Sequence, residues 1–117
     1  MALLTRDQIL SAEDNKTETV PVPEWGGEVI VAAMSGFARD RLEASIVGSQ
    51  GGSNMVNVRA KFVAASLVDE KGELIFSDSD IQKLGKKSAA ALSRVFAVSQ
   101  RLNHVTDDDV EELAKNS

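Results

Sequence analysis

The chain has 117 residues, with 18 acids against 13 bases, a formal net charge of −5, one histidine and no cysteine. The missing cysteines exclude a disulfide framework, a thiolate zinc site, a thiol nucleophile and an iron–sulfur cluster, and His104 alone excludes any site that needs two imidazoles. The length fits one domain that folds without staples, and the acidity argues against nucleic acid as the main partner.

In chain order, Thr5-Arg6-Asp7-Gln8 predicts a helix start, with the Thr5 hydroxyl capping the first turn and Gln8 reaching back; the helix should stop near Ala12. Glu13 to Thr19 is polar and reads as loop. Val20-Pro21-Val22-Pro23 cannot be helix and suits an edge strand, because each proline lacks a donor and holds the backbone extended. Glu24 to Gly27 is turn chemistry, and Glu28 to Ala33 is the strongest strand signal, so a hairpin is expected near Gly26.

Ser35 reads as the N-cap of a helix over Gly36 to Val47. The Gly/Ser-rich stretch 48–54 reads as a flexible loop, and Met55 to Val68 as a buried helix. A turn at Asp69 to Gly72 leads to Glu73 to Phe76, a short strand or extended connection. Ser77 with Asp80 is a second capping pattern, before a short helix that Gly85 closes. Ser88 caps Ala89 to Leu102, the clearest amphipathic helix, which Asn103 can end. Thr106 caps a last short helix whose first turn holds Asp107, Asp108 and Asp109, where the helix dipole favours negative charge.

The fold class read from this pattern is α+β, mainly helical: an N-terminal β-hairpin followed by about four to five helices. The domain reading is one globular unit over residues 1–105 and a short acidic C-terminal helix or tail over residues 106–117. The core is light, because 14 of the apolar residues are alanine and only Trp25, Phe37, Phe62, Phe76 and Phe96 are aromatic. That predicts modest stability and a chain that gains order from partner chains. The first ten residues hold Arg6 and Asp7 and do not read as a signal peptide, and no run approaches the length of a membrane span. A soluble, cytoplasmic protein is expected.

No residue set reads as a catalytic, cofactor or metal site. The two carboxylate clusters sit where helices begin, which already explains them. His104 lies in a helix-to-helix link with no orienting acid or nucleophile beside it. Gly48, Gly51 and Gly52 lack the Gly-Lys-Ser/Thr ending of a phosphate loop. Lys83, Lys86, Lys87 and Arg94 form a small basic group without aromatics, which is either a solvated face or a surface for an acidic protein. Charge is uneven along the chain: net −4 over residues 1–50, +3 over 51–105 and −4 over 106–117. The basic middle therefore suits an acidic surface such as another copy of the chain. Trp25 is either a lid on the core or a partner anchor. With Phe37, the basic group and Ala90, which lies in an alanine run that permits close helix approach, it completes the set of candidate partner-binding residues.

Read end to end, the order of segments resembles the tail assembly chaperones of long-tailed, siphovirus-like bacteriophages. The resemblance is carried by Val20-Pro21-Val22-Pro23-Glu24-Trp25-Gly26-Gly27 with the strand Val29 to Val31, by the strand-to-helix joint Met34 to Asp40, and by the turn and extension Leu67 to Phe76. Leu84-Gly85-Lys86-Lys87-Ser88 before the final long helix and the acidic end Asp107 to Glu112 complete it. It implies a non-enzymatic, cofactor-free protein. Such a chaperone binds the tape measure protein, helps recruit tail tube protein, self-associates, works in the host cytoplasm and is absent from the mature virion. It also implies a short form that ribosomal frameshifting can extend. The alternatives are a virion structural or head–tail joining protein and a small regulatory protein-binding domain.

Overall fold

Local signals place most of the helix ends. In the computed structural model, which describes residues 2–47 and 57–115, Thr5 and Gln8 form a reciprocal capping box at the start of α1 (Arg6–Ser11). Ser35 Oγ accepts the Ala38 amide at 3.1 Å and opens α2 (Gly36–Val47). Ser88 Oγ accepts the Ala91 amide and opens α5 (Ala89–Leu102), and Thr106 with Asp109 forms the box ahead of α6 (Asp107–Lys115). Each bond satisfies an amide that the helix itself leaves unpaired. The stretch 48–54 and the residues Met55 and Val56 lie outside the described residues.

The hairpin is present, with strands β1 (Thr17–Val22) and β2 (Gly27–Ala32) joined by a 3₁₀ turn at Pro23–Trp25. Gly26 closes that turn at φ 77°, a conformation in which a Cβ would be strained. The strand begins earlier than its polar composition indicates: Thr17, Glu18 and Thr19 pair with Ala32, Val31 and Ile30. Cross-strand pairing overrides the loop reading of Glu13 to Thr19 there, and only residues 12–16 stay irregular.

The buried run expected as one helix to Val68 divides into two elements. The helix α3 spans Val58–Ser66, and Leu67–Val68 turns into a third strand, β3, antiparallel to β2 with Val31 opposite Leu67 and Ile30 opposite Val68. The sheet order is β1-β2-β3. Gly72 turns the chain at φ 83° while Asp69 Oδ1 accepts the Lys71 and Glu73 amides, and Leu74 then bridges back to Val68. The extension Glu73 to Phe76 is thus a connection with a single bridge. A 3₁₀ turn at Asp78–Asp80 runs into the one-turn helix α4 (Ile81–Leu84). Gly85 follows, where a Cβ would run into the Asn57 side chain at the start of α3.

Two clusters form the core. In the first, Val20, Val22 and Val31 on one face of the sheet pack with Ala60, Val63 and Leu67 and with Ala91, Leu92 and Val95 of α5. In the second, Leu42 and Ile46 of α2 pack with Val58 and Phe62 of α3, Val105, and Val110 of α6. The acidic C-terminal segment is therefore a helix with Val110 seated in the core. Phe96 packs against both clusters and meets Phe62 edge to face, with ring centroids 5.3 Å apart.

One buried polar line ties the layers together. Ser66 and Ser99, both fully buried, share a 2.6 Å hydrogen bond between α3 and α5. Asn103 donates to the Ser99 carbonyl at 2.8 Å and accepts the Met34 amide at 2.7 Å, where β2 gives way to α2. Two further bonds end α5, from the His104 amide to the Arg101 carbonyl and from the Val105 amide to the Gln100 carbonyl. This is a Schellman ending, with His104 at φ 54° in the position glycine usually holds. Among the described residues no helix is long and apolar enough to cross a membrane.

Candidate protein-docking groove

The face of the sheet turned away from α5 is not covered by a helix along its whole length. Antiparallel pairing puts Thr17 opposite Ala32 and Ile30 opposite Val68 on that face, because successive side chains alternate. At its Thr17 end the face forms the floor of an open groove of about 690 Å³. The wall from α2 carries Phe37, Ala38, Arg41 and Leu42, and α3 adds Lys61, Ala64 and Ala65. The opposite wall is the segment 71–81, with Leu74, Phe76 and Ile81 as its apolar members.

Two of the lining side chains are large, apolar and in water: Phe37 is 74% exposed and Leu74 45%. Beside Leu74, Ile75 is 49% exposed. Neighbouring apolar groups left in solvent mark a contact surface more often than a resting one. The rim is basic, and its cations are oriented. Arg41 Nη2 donates to Asp78 Oδ2 at 2.9 Å across the groove, and its guanidinium lies 5.8 Å from the centre of the Phe37 ring. Lys61 Nζ donates to the Ser45 carbonyl near the end of α2. A groove of this size, with Phe37, Leu74, Phe76 and Ile81 set among polar and charged side chains, suits an amphipathic helix.

Of the residues singled out from the sequence, only Phe37 lines the groove. Lys83 lies on α4, Lys86 and Lys87 between α4 and α5, and Ala90 in the first turn of α5, all four exposed, while the neighbouring Ala91 is buried in the core. Trp25 is half-buried and packs against the first core cluster, as a lid on it. Arg94 is engaged within the chain: it donates to both Glu24 carboxylate oxygens, at 2.6 and 2.8 Å, and so ties the hairpin turn to α5. Arg101 Nη2 donates to both Glu18 carboxylate oxygens, at 2.6 and 2.7 Å, and ties β1 to the same helix. Arg41, Lys61, Leu74, Phe76 and Ile81 escape a reading by sequence because they meet only through tertiary packing. The spacing of Phe37 and Arg41, one turn apart on a single helix, is the only local signal for them.

The carboxylate clusters act as caps. Asp80 Oδ2 accepts the Ser77 amide and hydroxyl, and Asp109 Oδ2 accepts the Thr106 amide. Backbone amide hydrogen bonds, first of all, hold both carboxyls below their usual range. Among the described residues no three His, Asp or Glu side chains are grouped to hold a metal.

The Glu24–Arg94 pair carries a pH dependence. The hydrogen bonds from Arg94 are the main cause that lowers the Glu24 pKa from 4.5 to about 2. A carboxylate with a depressed folded-state pKa stabilises the fold above its unfolded pKa, and that contribution is lost as pH falls through the folded pKa. The urea midpoint is therefore expected to drop between pH 4.5 and pH 2, the two values that bound the Glu24 shift. Asp80 and Asp109 act in the same direction. Glu24→Gln should lower the midpoint at neutral pH and flatten the acid slope, and an unchanged slope would show that the pair does not couple to folding.

Comparison with known proteins places this architecture. Residues 5–116 match the family model described as phage tail assembly chaperone. No curated protein matches the sequence. Among solved structures, the bacteriophage HK97 tail assembly chaperone superposes with a TM-score of 0.60 at 22% identity, over 86% of this chain and 95% of that one. At that identity the likeness shows a shared fold.

Proposed function

The chain belongs to the phage tail assembly chaperone family, and from that premise we propose that it binds the tape measure protein during tail assembly, with the groove between α2 and the segment 71–81 as the seat for a client helix. The observation that carries this reading is the pair Phe37 and Leu74, two large apolar side chains in water that line one open groove. A long amphipathic client aggregates through its apolar stripe. A groove that covers part of that stripe removes the driving force for aggregation without any chemistry, so the role is non-enzymatic. Several copies, each covering one stretch, would shield a client much longer than this chain. In this reading the protein acts in the host cytoplasm, assists the loading of tail tube protein and is left out of the virion.

Co-expression with the tape measure protein of the same phage tests the reading. The client should stay in the soluble fraction and purify with this chain, and precipitate without it. Phe37→Glu and Leu74→Glu, both at exposed positions, should each reduce the co-purified client by roughly tenfold or more, as loss of an interface anchor does. A client that neither binds nor gains solubility overturns the reading. Recovery of this chain as a stoichiometric virion component would make it a structural protein of the particle.

A further inference from the structure

The segment 2–11 carries the helix α1, which no other described segment covers. No residue of α1 is buried, and Leu3, Leu4, Ile9 and Leu10 are 95%, 69%, 56% and 68% exposed. Its local signals are nevertheless complete. Thr5 and Gln8 make the capping box, and Leu4 and Ile9 occupy the two positions of a hydrophobic staple. A six-residue helix is marginal in water on local signals alone and persists when its apolar face is covered.

Among the described residues the chain thus holds a helix with uncovered apolar side chains and an open groove with apolar side chains left in water. We propose that the α1 arm of one copy docks in the groove of a second copy. Three observations select that occupant. The arm, residues 2–14, carries Asp7, Glu13 and Asp14 against Arg6, while the groove rim carries Arg41, Lys61 and Lys71 against Asp78, so an acidic arm meets a basic rim. The tether is short: three residues separate Ser11 from Asn15, which itself lines the groove, and Ala12 is extended at φ −67°, ψ 134°. Lys16 is pinned to the sheet by a 2.8 Å bond from the Ala33 amide to its carbonyl. The arm does not fill the groove beside its own root, since Leu3, Leu4, Ile9 and Leu10 on the arm and Phe37 and Leu74 in the groove all stay exposed, and it is offered to a neighbour. Exchange of this kind joins identical chains with a single type of contact and buries the four exposed side chains and Phe37 together. In the chaperone reading, the arm holds the seat that a client helix later takes. That last statement rests on the proposed function; the exchange between copies does not.

Sedimentation equilibrium of the protein alone tests the exchange. The full-length chain should have an average mass above the 12.5 kDa of one copy and rising with concentration. The chain lacking residues 2–11, which keeps its groove, should fall to the mass of one copy with an unchanged circular dichroism spectrum. The full-length chain carrying Leu74→Glu, which keeps its arm, should do the same, and Phe37→Glu serves as a second groove variant at a still more exposed position. An equimolar mixture of the arm-less chain and either groove variant should restore a one-to-one complex, since one supplies the groove and the other the arm. A full-length chain that stays at single-copy mass overturns the proposal. So does an arm-less chain that associates like the parent, or a mixture that does not combine.

Discussion

Phe62→Ala is expected to lower the free energy of unfolding by about 3–5 kcal/mol, the largest loss from any single truncation in this chain. Phe62 is fully buried on α3, belongs to the cluster that seats α2 and α6, and meets Phe96, which also packs on the cluster beneath the sheet. Removing the ring leaves a cavity at the join between the two clusters, and the surrounding helices are held by caps that limit collapse. The chain has few aromatics to compensate, and Phe37 is committed to solvent. A light, alanine-rich core puts this domain toward the low end of the roughly 5–15 kcal/mol that domains have in total, and there the variant should be close to unfolded at ambient temperature. Urea denaturation followed by circular dichroism measures it. Phe62→Leu, which keeps most of the volume, should cost far less. Equal losses for the two would show that the aromatic contact, and not the volume, joins the clusters.

Asn103→Ala is expected to cost about 1–3 kcal/mol, because it strands partly buried polar groups rather than removing apolar contact. The side chain closes a line from the Met34 amide through its own amide group to the Ser99 carbonyl, next to the fully buried Ser66–Ser99 bond. In the variant the Met34 amide loses its acceptor at the joint between β2 and α2. Asn103→Asp keeps an acceptor for Met34 but places a carboxylate against the Ser99 carbonyl, so it should be destabilised as well. Hydrogen exchange separates the two: Met34 should lose protection in the alanine variant and retain it in the aspartate variant. Protection at Met34 that is the same in both would remove the line as an explanation.

The places where reading the chain and seeing it folded agree share one property. Thr5, Ser35, Ser77, Ser88 and Thr106 each meet a partner three residues away, so the information needed to cap a helix lies within one turn. The hairpin is legible for the same reason: its prolines and Gly26 restrict the backbone locally. The readings that changed all depended on a distant strand. Leu67 and Val68 continue the apolar pattern of α3, and only the presence of Val31 and Ile30 beside them makes them strand. Thr17 to Thr19 look like loop until Ile30 to Ala32 pair with them.

The candidate site divides along the same line. Phe37 could be chosen from the sequence as an aromatic on a polar helix, but nothing local says that Leu74, Phe76 and Val68 stand across from it. Arg94 reads as part of a basic group with Lys83, Lys86 and Lys87, yet it is bound to Glu24, 70 positions earlier. The capped helix starts, the hairpin turn, the class of the fold and the absence of cysteine chemistry are legible in the chain alone, since each depends on composition or on residues within a turn of one another. The third strand, the end of α3 that it sets, the groove with its basic rim and the seat of Val110 exist only once the chain has folded. Those features come from contacts between segments tens of residues apart, and no local preference encodes which distant segment closes on which.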